Sequence, residues 1–281
     1  MKPIIKWPGG KTQLMPKLLE IIPKQLINDL QDVNKTNRYV EPFLGGGAVL
    51  FALKPVRPIV NDLNQALINL YRVLQSQASS QCASFIQLIN YLDSHISEDL
   101  YYSSRDKFNN KLKNNQYDEE MAVLFLFLNK HCFNGLYRVN RNGDFNVPYN
   151  KSLAASINSQ NVIDIANYLY NNVQLECNDF AQITSQVSDG DLVFIDSPYP
   201  PLKDKTFSEY NAVKFSAEDH IRLAYEVDRI AKFANIIVTN HDTKLIRSLY
   251  RNFNIEKVTV ARNVNCNGSN RKSEEIIITN F

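Results

Sequence analysis

Short apolar runs bounded by turn-forming residues recur along the chain, at Tyr39 to Phe43, Pro58 to Val60, Val173 to Cys177, Leu192 to Ile195, Ile236 to Thr239, Ile255 to Val260 and Glu275 to Thr279. Runs of this length between polar punctuation predict β-strands. Between them the apolar positions take on the three-to-four-residue spacing of amphipathic helices, over Gln13 to Leu30, Asn64 to Leu74, Ala217 to Phe233 and Thr243 to Phe253. Strand, turn and helix following one another in this way predict an α/β fold built on βαβ units and a largely parallel sheet.

One stretch departs from that rhythm. From about Tyr71 to Lys151 the pattern is helical, includes the apolar run Met121 to Leu128, and closes in a turn-rich segment holding Asn134, Gly135, Asn140, Asn142 and Gly143. It reads as an insertion, with residues 1–70 and 152–281 forming the α/β core and 71–151 a separate, mostly helical subdomain. The polar residues Asn265 to Lys272, lying between the last two strands, predict the tip of a closing hairpin.

Composition narrows the class without choosing a chemistry. The 281 residues are 44% hydrophobic and 21% charged, the balance of an ordinary globular protein rather than a disordered or fibrous one. No apolar run approaches the roughly 18 residues that a spanning helix needs. The leading Met1 to Pro8 meets polar residues too early for a signal peptide, so a cytoplasmic location is expected, with no membrane partner. Cys82, Cys132, Cys177 and Cys266 are scattered, with no Cys-x-x-Cys and no histidine spaced to complete a zinc site, and read as free thiols. A net charge of +2 is compatible with a basic face for a polyanion but does not require one.

Two segments carry candidate chemistry. In the first, Phe43-Leu44-Gly45-Gly46-Gly47 follows a strand, and Asp62 ends the next strand. Glycine lets the backbone come close to a ligand, and a carboxylate at the second strand end can accept both ribose hydroxyls of a nucleoside. A tight turn with a helix cap would look the same, and the dinucleotide pattern Gly-x-Gly-x-x-Gly is absent. In the second, Asp196-Ser197-Pro198-Tyr199 comes directly after Leu192 to Ile195. That places a carboxylate at the carboxyl edge of the sheet, where open α/β sheets bind ligands, on a loop stiffened by proline. An ordinary turn is the alternative.

Together these segments resemble the motif set of the amino-group DNA methyltransferases, and their order resembles the Dam-type DNA adenine methyltransferases, with the alpha arrangement of motifs. Lys6-Trp7-Pro8-Gly9-Gly10-Lys11 looks like that family's amino-terminal motif, Glu41 to Gly47 like its cofactor loop, and Asp196 to Tyr199 like its catalytic Asp-Pro-Pro-Tyr. Phe133 to Arg138, with Phe145 to Tyr149, is similar to its target-recognition hairpin. Thr239 to Asp242 and Asn267 to Lys272 match further family segments. The resemblance covers nearly the whole chain. It implies a Rossmann-like core that depends on S-adenosyl-L-methionine, residues 71–151 as the target-recognition subdomain carrying a β-hairpin, and double-stranded DNA as the partner of a monomeric enzyme.

The resemblance also assigns roles. Trp7 and Lys11 would hold the methionine end of the cofactor, Phe43 and Gly45 its loop, Asp62 its ribose, and Asp179 with Phe180 its adenine, beside Asp196; a core-filling Trp7 and a helix-capping Asp179 are the alternatives. On DNA, Arg138 has the chemistry for guanine O6 and N7, and Leu136 and Pro148 for a thymine methyl, as in readers of GATC. Lys6 would meet the outer guanine, Phe133 would act as a wedge, and Asn134 would fill the space left by a flipped base. Lys130, Arg141, Asn267 and Arg271 would meet phosphates, which position without specifying; a solvated basic face is the alternative for these four. His241 reads as a brace for the strand end.

The chemistry explains the residue types. The lone pair of an adenine N6 is delocalised into the ring, and acceptors must draw it toward the methyl donor. Asp196 can supply one acceptor and the Ser197 carbonyl the other, while Pro198 stiffens the loop and Tyr199 stacks on the flipped base. No metal is needed for this step. Serine at 197 departs from the usual proline but keeps the carbonyl, so activity is expected to be retained. Three rivals stand beside this reading: N4-cytosine methylation, a DNA-binding module that lost catalysis at Ser197, and a small-molecule methyltransferase, which the DNA-reading residues disfavour.

Overall fold

The structure, a computed structural model, describes residues 1–151, 156–200, 215–261 and 272–281. Among these, seven strands form one sheet: β1 (Tyr39–Glu41), β2 (Pro58–Asn61), β3 (Gln174–Glu176), β4 (Leu192–Ile195), β5 (Asn235–His241), β6 (Asn254–Ala261) and β7 (Lys272–Thr279). Their order is 3-2-1-4-5-7-6. β1 to β5 run parallel, and β7 enters antiparallel between β5 and β6. Each apolar run read from the sequence overlaps one of these strands, those at Tyr39 to Phe43 and Val173 to Cys177 running past the ends of β1 and β3. β1, β2 and β4 are buried at every position, because helices cover both faces of the sheet.

The helices are α1 (Met15–Ile21), α2 (Lys24–Gln31), α3 (Ala48–Leu53), α4 (Gln65–Ser76), α5 (Ala83–Ser94), α6 (Glu98–Lys113), α7 (Glu119–His131), α8 (Ser159–Asn172), α9 (Phe180–Thr184), α10 (Ala217–Ile230) and α11 (Lys244–Leu249). Side chains alternate across the sheet. Tyr39, Val60, Phe194 and Ile237 pack with α1 to α8 on one face. Val40, Ile59, Val193 and Val238 pack with α9 to α11 on the other. The result is a three-layer Rossmann-like fold, with β1 and β4 adjacent at the point where the strand order reverses.

Three local differences from the sequence reading appear, two of them with plain causes. The stretch from Gln13 to Leu30 is two helices, because Ile22 is extended (ψ 124°) ahead of Pro23, which disfavours the helical region for its predecessor and has no N–H to offer. α10 and α11 stop short of Phe233 and Phe253, at Ile230 and Leu249. Helix α8 was not anticipated from the sequence. Its apolar signal is present, with Val162, Ile165, Ala166 and Leu169 buried at helical spacing, but asparagines surround it and obscure the period.

α4 runs through residues 70 and 71 without a break, and the helices after it share its core: Phe85, Ile89, Phe108 and Leu124 belong to the same apolar cluster as Leu70 and Tyr71. After α7 the turn-rich segment folds back on itself, with antiparallel bridges Cys132 to Tyr149 and Val139 to Phe145. The Asn140 N–H donates to the Asp144 carbonyl at 2.9 Å at its turn. Of the expected tip at Asn265 to Lys272, residues 265–271 lie outside the described residues and Lys272 opens β7. No helix among the described residues is long and apolar enough to cross a membrane.

Candidate active site

The carboxyl ends of β1, β2, β4 and β5 converge on one cluster. After β1 the chain turns through Gly45 and Gly47, whose φ angles of +51° and +69° suit glycine. A Cβ on Gly45 would lie 2.7 Å from Trp7 Cδ1, so the amino-terminal segment presses directly on this loop. After β2, Asp62 accepts from the Gly45 N–H and the Asn64 N–H, each at 2.9 Å. Burial raises the Asp62 carboxyl above its ordinary value, an effect these two N–H groups offset only in part. Asn61 donates to the Pro42 and Asn178 carbonyls and accepts from the Asn178 N–H at 2.7 Å, tying the ends of β1, β2 and β3 together.

Asp196, just past β4, is held from two sides. Thr239 at the end of β5 donates its hydroxyl to Asp196 Oδ1 at 2.7 Å, and the Lys11 ammonium lies 2.8 Å from Oδ2. Lys11 is only 4% exposed and also donates to the Gly9 carbonyl at 2.5 Å. Ser197 is buried, and its hydroxyl accepts from Asn240 Nδ2 at 3.3 Å. Tyr199 donates to Glu275 Oε2 on β7 at 3.0 Å, lies under Lys11 and meets the edge of His241. Burial, with Asp196 and Glu275 nearby, pushes the Tyr199 phenol well above its usual range. His241 Nδ1 sits 3.1 Å from the Pro200 carbonyl, the bracing position read from the sequence.

Beside this cluster Phe43, Phe180 and Phe215 form an aromatic group with ring centroids 5.6 to 5.9 Å apart. Asp179 caps α9 through the Ala181 N–H and is clamped by Arg222, whose guanidinium covers the Phe180 ring. The arrangement pairs an acceptor-bearing loop after β4 with a glycine loop, a carboxylate and an aromatic group. The family model of D12 class N6 adenine-specific DNA methyltransferases matches residues 7–264.

The chain belongs to that family. Type II methyltransferase M.MjaIII of Methanocaldococcus jannaschii is 36% identical over all of this chain and 99% of the relative. A DNA N-6-adenine-methyltransferase of Escherichia phage P1 is 32% identical over 95% of this chain and 34% of its own length. The DNA adenine methylase of Escherichia coli strain K12 is 28% identical over 98% of this chain and 93% of the relative.

In this D12-class chain the residues expected to meet DNA gather around the hairpin. Phe133 is 46% exposed, and Asn134 beside it takes a left-handed φ of +58°. Lys6, Arg141 and Pro148 are exposed, and Leu136 is half-buried. Arg138 donates through Nε to Asn146 Oδ1 at 2.8 Å across the hairpin. Lys130 is drawn into an ion pair with Asp93, which also meets His131 Nε2 at 2.9 Å, so its cation is already partnered. Asn267 and Arg271 lie outside the described residues.

Sequence reading passed over several residues that the fold brings to this place: Asn61, Asn129, Tyr137, Thr239 as a partner of Asp196, and Glu275. Each makes its contact across a long sequence separation, so even Tyr137 and Thr239, which lie inside family-like segments, carry no local mark of their partners. Asn129 lies in an apolar helix and is 2% exposed. A buried asparagine among leucines and phenylalanines is the signal that could have found it.

Proposed function

We propose that this D12-class enzyme transfers the methyl group of S-adenosylmethionine to N6 of an adenine flipped out of duplex DNA, within 5'-GATC-3'. The reading is carried by the placement of Asp196 and Ser197 at the end of β4, next to the Gly45 loop and Asp62. The residues around it suit such a donor. Asp62 uses one lone pair on each oxygen for backbone N–H groups, leaving capacity for two ribose hydroxyls. The aromatic group of Phe43 and Phe180, with Asp179 beside it, suits contact with a purine.

The donor supplies an electrophilic methyl on a sulfonium. Asp196 and the Ser197 carbonyl accept hydrogen bonds from the two N6 hydrogens and direct the lone pair outward, an effect of position and preorganised charge. Thr239 fixes the Asp196 rotamer. Tyr199, anchored through its hydroxyl by Glu275, offers its ring to the flipped base. The extra proton on the methylated amine leaves to Asp196 or water. The hydroxyl that serine adds at 197 is taken up by Asn240, which favours retained activity over a binding module without catalysis.

In this proposal Trp7 and Lys11 face the methionine end and Phe43, Gly45, Asp179 and Phe180 the rest of the donor. Lys6, Phe133, Asn134, Leu136, Arg138 and Pro148 read or part the duplex, and Arg141 with Asn267 and Arg271 meets phosphate. Lys130 would have to give up Asp93 to join them. Residues 1–70 with 152–281 are the catalytic core, residues 71–151 read DNA, and the enzyme works as a monomer.

The test is incubation with methyl-labelled S-adenosylmethionine and two duplexes, one holding GATC and one with that site scrambled, followed by identification of the modified base. N6-methyladenine in the GATC duplex alone is the expected result. Label in both duplexes would overturn the site assignment, and label on cytosine N4 the adenine assignment.

A further inference from the structure

The Lys6–Trp7 segment is gripped from two sides. On one side Asn129 of α7 accepts from the Lys6 N–H at 2.8 Å and donates to the Lys6 carbonyl at 2.8 Å, making a closed pair with its backbone. The same amide donates to the Gly135 carbonyl at 3.1 Å, at the start of the hairpin. Gly135 has a φ of +63°, and a Cβ there would lie 2.5 Å from Lys6 Cδ. Tyr137, two residues on, stacks on the Trp7 indole with centroids 5.6 Å apart and planes 19° apart. On the other side Trp7 lies against Gly45, and its Cβ would be 3.3 Å from a Cβ on Gly46.

The hairpin and the glycine loop therefore share one wall with no slack in it. There is no room for even a methyl group between Gly135 and Lys6 or between Gly45 and Trp7, so a shift of either glycine toward the Lys6–Trp7 segment displaces it. We infer that Asn129 and Tyr137 are positioning residues that lock the Lys6–Trp7 segment to the recognition hairpin, so that donor binding and duplex binding strengthen one another through it. Neither residue needs to touch either ligand. The inference rests on the proposed function, since it assigns the glycine loop to the donor and the hairpin to DNA. Coupling of this kind is reciprocal: the factor by which duplex improves donor affinity equals the factor by which donor improves duplex affinity.

The experiment is calorimetric titration of the full chain with S-adenosylhomocysteine, alone and with saturating GATC duplex, for wild type, Tyr137→Phe, Tyr137→Leu and Asn129→Ala. Wild type and Tyr137→Phe, which keeps the stacked ring, are expected to bind about fivefold or more tightly with duplex present. In Tyr137→Leu and Asn129→Ala that ratio is expected to fall to within about twofold of one. A merely structural role would weaken both arms equally and leave the ratio as in wild type, and that outcome in Tyr137→Leu overturns the inference even if Asn129→Ala fails to fold. A wild-type ratio of one overturns it too. A wild-type chain that binds one ligand and never the other overturns the proposed function, and this inference with it, in the single-ligand titrations.

Discussion

The Lys11 ammonium sits 2.8 Å from Asp196 Oδ2, while Thr239 donates to the other oxygen at 2.7 Å. The carboxylate is thus held in one orientation with a buried cation beside it, which in the proposed reaction sets the acceptor before a base arrives. Preorganisation of this kind removes the cost of rotating and desolvating the acceptor during the reaction.

Replacing Asp196 with asparagine keeps the shape and removes the charge. The expected result is a loss of about 10²- to 10³-fold in kcat, the range for deleting one preorganised electrostatic partner, with duplex affinity little changed. Single-turnover methylation beside a duplex-binding titration checks this. An Asp196→Asn enzyme that turned over at the full rate would remove Asp196 from the mechanism.

Gly45→Ala tests the glycine loop. The new Cβ would meet Trp7 at 2.7 Å and the residue would be held at a φ of +51°, a combination that costs about 1–3 kcal/mol. S-adenosylhomocysteine binding is expected to weaken by about tenfold or more. Trp7 is the single tryptophan of the chain, so its fluorescence reports both the displacement and the titration.

Glu41 makes stability depend on pH. It is 2% exposed, and its Oε2 has no hydrogen-bond partner among the described residues. Burial raises its carboxyl well above the usual 4.5. A raised carboxylate holds its proton more tightly folded than unfolded, so its stabilisation is full below 4.5 and declines as pH rises from there toward the folded value. Glu41→Gln is expected to flatten that decline, melting above wild type at about pH 8 and approaching it toward about pH 4.5. Thermal melts across that range decide it, and parallel curves for the two proteins would count against the assignment.

Arg138→Ala bears on specificity. Loss of a bidentate guanine contact costs about 1–3 kcal/mol and relaxes preference at one base pair only. Competition between GATC and a duplex altered at that guanine should narrow by the corresponding factor. Uniform weakening across all sequences would instead mark Arg138 as a phosphate contact.

Much of the fold was legible in sequence because strands buried on both faces must be largely apolar, and the central runs at Pro58 to Val60, Leu192 to Ile195 and Ile236 to Val238 had that property. Asp62 and Asp196 were legible for a related reason, since a carboxylate directly after such a run falls at a strand end. Pro23 and the period of Val162 to Leu169 were present in the sequence too, but the first was overridden by the amphipathic pattern around it and the second was masked by asparagine.

Sequence by itself determined the elements, the βαβ rhythm, the carboxylates at the strand ends and the motif order that marks the family, because these depend on neighbours a few residues apart. Only the tertiary structure decided which of those residues meet. Lys11 and Asp196 are joined by the sheet order, Tyr199 and Glu275 by the antiparallel β7, and Lys6 and Asn129 by the packing of α7 against the amino-terminal segment. Contacts across such separations arise from burying one shared core, and burial is a property of the whole chain rather than of any segment.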